Sequence, residues 1–162
     1  MVKLSHKVKT LFLQTFWGHT NQNCRLWKCK CKFRVLFFIK DKTKRLKRGD
    51  EVIVPALSWS TTYFPLQQYG LKVKFVDIDR ETLNIDLNKL DDAISDRTRV
   101  IFAVNILGNP NDFNSIKNSI GDRDIILLED NCESLGATFQ GKDAGSFGLM
   151  GTFSSFYSHH IA

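Results

Sequence analysis

The sequence predicts an α/β protein, a mostly parallel sheet flanked by helices, and three observations carry that expectation. From residue 50 onward, short β-branched runs alternate with segments of helical period. The runs are continuously apolar, as strands covered on both faces of a parallel sheet must be. Gly70, Gly108 and Gly121 stand near the ends of the intervening segments, where helices stop.

Taken in order, Glu51–Val54 is the first strand, bounded by Gly49-Asp50 and Pro55. Ser60–Tyr69 reads as a helix, with Pro65 expected near its start, where few backbone donors are lost. Lys72–Val76 is the second strand, Asp86–Ile94 the second helix and Arg99–Val104 the third strand. Asn111–Ile120 is the third helix and Ile125–Leu128 the fourth strand. Gly145-Ser-Phe-Gly148 then leads to a further strand over Thr152–Tyr157. Strands alternating with amphipathic helices fold as a sheet with helices on both sides.

At 162 residues, 43% hydrophobic and 25% charged, the composition is that of one soluble domain and excludes disorder, collagen and a membrane bundle. No apolar run approaches the roughly 18 residues that a spanning helix needs, and Met1–Lys9 lacks a long apolar signal core, so no membrane association and a cytoplasmic location are expected. The net charge of +6 is unevenly spread. Residues 1–50 carry 14 Lys/Arg against two acids, whereas residues 51–162 carry nine against 15. The basic character belongs to the first third, and no nucleic-acid partner is expected for the rest. That third also holds Cys24, Cys29 and Cys31 and no proline. These cysteines with His19 fit no common zinc spacing, so no metal is expected. A presequence is a second reading of the segment, although it is serine-poor and lacks an amphipathic period. The chain therefore divides at about residue 35, a basic cysteine-containing segment (1–35) preceding the α/β part (36–162).

In open parallel sheets, ligands sit at the carboxyl ends of the strands. There the sequence places Ser58-Trp59-Ser-Thr-Thr62, Asn105, Glu129-Asp130-Asn-Cys-Glu133 and, after the last strand, Ser158-His159-His160. Each has a plainer explanation: Trp59 as core packing, Asp130 as an N-cap, Ser154 as the polar face of a strand, the histidines as a solvated chain end. Adjacent histidines on a strand point to opposite faces, so they make poor joint metal ligands. Jointly, an indole face, an acid at a strand end and a serine just before a basic side chain suit a flat, phosphorylated heteroaromatic cofactor, a description that pyridoxal phosphate meets.

The stretches Gly49-Asp-Glu-Val-Ile-Val-Pro-Ala56, Ser58-Trp-Ser-Thr-Thr62, Val76-Asp-Ile-Asp79, Gly108-Asn-Pro110, Glu129-Asp-Asn-Cys-Glu-Ser-Leu-Gly136 and Ser154-Ser-Phe-Tyr-Ser-His-His-Ile161 resemble the DegT/DnrJ/EryC1/StrS sugar aminotransferase/dehydratase family of vitamin B6 enzymes. The resemblance runs from about Leu36 to Ala162. It implies part of the large domain of the aspartate-aminotransferase-like (fold type I) fold, with pyridoxal 5'-phosphate or pyridoxamine 5'-phosphate as cofactor. Trp59 would stack on the pyridine ring, Asp130 would pair with its protonated nitrogen, Glu133 would lie beside the cofactor and Ser154 would bind the phosphate. Aminotransferases of the family place a lysine five residues after that serine, and this sequence has His159 there.

That histidine points to the dehydratase branch, which acts on a GDP-linked 4-keto-6-deoxymannose on the route to the lipopolysaccharide dideoxysugar colitose. His159 would be the general base, with His160 the alternative if the register is one residue off. Glutamate would recharge the cofactor, and the complete enzyme is expected to be a homodimer. Three alternatives stay open: a sugar aminotransferase whose lysine was replaced, an iron–sulfur-dependent CDP-sugar dehydratase, and a non-enzymatic remnant with a basic arm. Asp130-Asn-Cys-Glu133 and Phe153–His160 resemble the cluster-free branch more closely, which leaves Cys132 as a small buried residue.

Two departures lead to the expectation that the chain is an inactive fragment. Residues 1–35 lack the family's Ser-Gly-Ser phosphate loop, and the chain stops where relatives continue. With one choice of codons for Leu26–Val35, the frame one nucleotide later reads Phe-Gly-Asn-Val-Asn-Val-Asn-Ser-Gly, and any leucine codon at Leu36 then yields Ser. A shifted frame would account together for the charge break, the cysteine cluster and the absent motif.

Overall fold

A computed structural model of the chain describes residues 46–154. The elements in order are β1 (Glu51–Pro55), α1 (Ser60–Gln68), β2 (Lys72–Val76), α2 (Leu87–Ala93), β3 (Thr98–Val104), a 3-10 turn (Ile106–Gly108), α3 (Phe113–Ile120), β4 (Ile126–Asn131), the short pair β5 (Thr138–Phe139) and β6 (Lys142–Asp143), and β7 (Met150–Phe153). Five strands form one sheet in the order β2-β1-β3-β4-β7, and every neighbouring pair is parallel.

Alternation along these strands sends successive side chains to opposite faces. On one face Val52, Val54, Val100, Phe102, Ile126 and Leu128 pack with Leu66 of α1 and with Leu46 and Leu71. On the other, Ile53, Ile101, Ala103 and Leu127 meet Leu90 and Ala93 of α2 and Phe113, Ile116 and Ile120 of α3. Both faces are thus covered along β1, β3 and β4, which is why these three carry unbroken apolar runs, whereas the edge strand β2 (Lys72-Val-Lys-Phe-Val76) alternates and is only partly buried. Each fully buried side chain of this size contributes about 1.5–3 kcal/mol.

The helix ends follow their caps. Asp86 and Asp112 accept backbone N–H groups at the starts of α2 and α3, and Gly121 (φ +55°) ends α3 in a conformation that side chains disfavour. Helix α1 departs from expectation. Pro65 is the sixth of its nine residues, so it removes an interior donor rather than one from the first turn. Its ring is buried with Thr62 and Leu66, and that packing offsets the missing bond.

Three further differences bear on the site. Strand β4 continues beyond Leu128 to Asn131, because β3 and β7 pair with it on both sides: Val104 is in register with Asp130, and Asn131 with Phe153. The apolar run stops before the backbone ladder does. Strand β7 begins at Met150, two residues before the expected start, and residues 155–157 of the expected strand lie outside the described residues. The β5–β6 pair was absent from the sequence reading; Gln140 (φ +49°) and Gly141 (φ +76°) form its two-residue turn, which lacks the usual Asn-Gly or Asp-Gly signature.

Close approach of backbones makes Gly151 obligatory. A Cβ there would run into the Gly145 backbone, with the Asn131 amide nitrogen 2.9 Å away. Gly151→Ala is expected to destabilise the fold by roughly 2 kcal/mol or more, measured by urea denaturation.

Candidate functional site

The site is built at the carboxyl edge of the sheet. Register aligns Val104 of β3, Asp130 of β4 and Thr152 of β7, so these three share the α1 face. Ser154 follows directly on β7, is buried, and by the same alternation falls on that face. The polar edge residues thus sit where the apolar layer beneath α1 gives out.

Asp130 is 4% exposed. Its Oδ2 accepts the Thr62 hydroxyl at 3.2 Å and its Oδ1 accepts the Cys132 N–H at 3.1 Å. It caps the turn after β4 and opens no helix there, so the plain N-cap explanation accounts for one of its two oxygens. Cys132 is half-buried rather than buried, because it lies in that turn beyond the ladder.

Trp59 is not core packing: the residue just before α1 is 59% exposed. Its indole N–H donates to Glu133 Oε1 at 2.9 Å, while Glu133 Oε2 accepts the Leu107 N–H at 3.0 Å. One carboxylate therefore ties together the segments after β1, β3 and β4. Leu107 adopts φ +50°, a conformation costing about 1 kcal/mol or more for a non-glycine residue, and the Glu133 contact helps hold it.

Asn105 is a structural node. Its Oδ1 accepts the Asn111 backbone N–H at 2.9 Å and the Asn111 amide at 2.8 Å, and its Nδ2 donates to Asn131 Oδ1 at 2.6 Å. This buried amide network fixes the path from β3 to α3 beneath the site. Tyr63 donates its hydroxyl to the Pro55 carbonyl at 2.7 Å. Burial first, and then the Asp130 charge, push that phenol up to about 12, which removes it as a base near neutrality.

Glu129, which the sequence places at this edge without a role, is a structural node. It is fully buried, and its carboxylate accepts the backbone N–H groups of Gly145 (2.5 Å), Phe147 (2.7 Å) and Gly148 (2.6 Å). Burial pushes the carboxyl above its ordinary value, against the pull of those three donors. The available signal was a carboxylate inside Ile126-Leu-Leu-Glu129, since a buried charge requires donors and Gly145-x-x-Gly148 supplies bare N–H groups.

The structure therefore brings together Trp59, Asp130 and Glu133, with Ser154 on the Asp130 face. His159 and His160 lie outside the described residues, as do Cys24, Cys29, Cys31 and His19. Among the described residues, no three His, Cys, Asp or Glu side chains are grouped to hold a metal, and no helix is long and apolar enough to cross a membrane.

Comparison with known proteins agrees with this architecture. The chain is 71% identical over 127 residues to GDP-4-keto-6-deoxy-D-mannose 3-dehydratase of Escherichia coli O55:H7, covering 78% of this chain and 32% of that relative. It superposes on a crystal structure of GDP-4-keto-6-deoxymannose-3-dehydratase with bound GDP-perosamine at a TM-score of 0.81 and 64% identity, covering 85% of this chain and 35% of that one. A second structure of such a dehydratase, with a trapped PLP-glutamate geminal diamine, matches at a TM-score of 0.81 and 59% identity, covering 94% and 40%. The chain spans about a third of the length of the curated relatives it matches. These likenesses establish the aspartate-aminotransferase-like α/β class expected from the sequence. The model of the DegT/DnrJ/EryC1/StrS aminotransferase family matches residues 39–162, the parallel sheet and its polar carboxyl edge included, and the chain belongs to that family.

Proposed function

We propose that residues 36–162 supply the cofactor-binding part of a pyridoxal 5'-phosphate/pyridoxamine 5'-phosphate-dependent 3-dehydratase. Its substrate is the nucleotide sugar GDP-4-keto-6-deoxy-D-mannose, on a cytoplasmic route to a lipopolysaccharide dideoxysugar. Glutamate is the amino donor, and the complete enzyme is a homodimer. The observation that carries the reading is the buried Asp130 carboxylate on β4, with the exposed Trp59 indole held nearby through Glu133.

The donor set fits the cofactor: a carboxylate for a protonated pyridine nitrogen, an exposed indole face for the ring, and serine and threonine hydroxyls on the same sheet face. The buried Thr152 Oγ1, in register with Asp130, has no hydrogen-bond partner, an atom that a polar ligand group could satisfy. When bound, the cofactor acts as an electron sink for a carbanion. Asp130 would keep the proton on the pyridine nitrogen. Trp59 would cover one ring face and exclude water from it. Ser154 would donate its hydroxyl to the phosphate, and Glu133, which accepts the Trp59 indole N–H, would fix the orientation of the indole. The imidazole of His159 would serve as the general base that accepts the proton from the cofactor's methylene carbon.

Pyridoxal phosphate added to the purified chain is expected to bind saturably and to be removed by dialysis, because no lysine stands at position 159. His159→Lys should convert this into a borohydride-reducible linkage that survives dialysis once reduced, whereas His160→Lys should not. Absence of binding, or a borohydride-reducible cofactor linkage in the unaltered chain, would overturn the reading.

A further inference from the structure

Ser58 and Thr62 stand four residues apart at the start of α1. Their hydroxyl oxygens are 3.0 Å apart, and Thr62 Oγ1 donates to Asp130 Oδ2 at 3.2 Å. A hydroxyl carries a single hydrogen, and an ionised carboxylate only accepts. With the Thr62 hydrogen directed at Asp130, the Ser58 hydroxyl must be the donor in the first contact. Donation therefore runs from Ser58 to Thr62 to Asp130. Thr62 and Asp130 are 2% and 4% exposed, so water competes little for either end of the final bond.

The other carboxylate oxygen is held by the Cys132 N–H, so donors from two separate elements fix the carboxylate plane: α1 on one side, the turn after β4 on the other. The start of α1 reflects the same arrangement. Its N-cap residue is Trp59, which makes no side-chain cap, and the flanking hydroxyls serve Asp130 instead.

We infer that Thr62 is a positioning residue for Asp130, oriented in turn by Ser58, and that this relay aims the carboxylate at the pyridine nitrogen. The inference rests on the cofactor reading above and assigns roles to two residues beyond the five site residues that the family resemblance implies. It also predicts a dependence that packing alone does not: Thr62 matters only while position 130 is a carboxylate.

The test is a pyridoxal phosphate titration of the chain and five variants, followed by absorbance, with urea denaturation of each as a control. Thr62→Val, which keeps the shape and removes the donor, is expected to weaken binding about tenfold, the factor that a hydrogen bond to a charged group carries. Thr62→Ser should bind within about twofold of the unaltered chain, since it keeps the hydroxyl. Ser58→Ala, which leaves the buried threonine in place, should weaken binding about threefold, as loss of a neutral hydrogen bond does. In an Asp130→Asn background, Thr62→Val should add no further loss. Wild-type affinity in Thr62→Val, or the same tenfold loss in both backgrounds, would overturn the relay while leaving the cofactor reading intact. No binding by the unaltered chain would overturn both.

Discussion

Replacing Glu129 by alanine is expected to cost the fold about 3 kcal/mol or more, because one buried and two part-buried N–H groups lose their acceptor together. Glu129→Gln should cost less, since its amide oxygen can still accept, but its NH2 group then faces N–H donors. Urea denaturation of the purified variants measures both. The charge adds a pH signature. Burial raises the folded-state pKa of Glu129 above its unfolded value. The folded state then holds more protons than the unfolded chain between those two pKa values, so this group's contribution is full below the unfolded pKa and is lost as pH rises through the folded one. The stability difference between the unaltered chain and Glu129→Gln should therefore shrink as pH rises above the ordinary glutamate range. A difference that stays flat or grows would mean that the three donors outweigh burial.

Asp130→Asn is expected to leave stability within about 1 kcal/mol, because the amide oxygen can still accept from Thr62 or Cys132. Its effect on pyridoxal phosphate should be far larger, roughly 100-fold weaker binding, as for loss of one member of a desolvated charge pair. The same titration measures it. Unchanged affinity with lowered stability would reduce Asp130 to the structural role of capping the turn after β4.

Much of this architecture was legible in residue order. Val52-Ile-Val54, Val100–Val104 and Ile126-Leu-Leu128 are apolar without interruption because helices cover both of their faces, so the pattern reports burial directly. Asp86, Asp112 and Gly121 mark helix ends through local chemistry, within a few residues of the groups they serve. The β5–β6 turn escaped because Gln140 takes a left-handed conformation for which glutamine has no preference. Strand β4 was read three residues short because Glu129, Asp130 and Asn131 are polar, yet β3 and β7 bond to their backbone regardless of side chain.

Residue order alone determined the class, the alternation of elements and the polar residues at the carboxyl edge, because periodicity and local capping act over a few residues. It also marked Trp59, Asp130, Glu133 and Ser154 through a motif pattern. Which of them touch was decided only in three dimensions. Trp59 and Glu133 are 74 residues apart, Thr62 and Asp130 are 68 apart, and Glu129 reaches across 16 to 19 residues to its donors. Periodicity states which face of a strand is apolar and carries no record of which distant donor meets which acceptor. That pairing follows from the strand order β2-β1-β3-β4-β7, which brings the ends of β1, β3, β4 and β7 to one edge, where buried polar groups need partners and distant segments supply them.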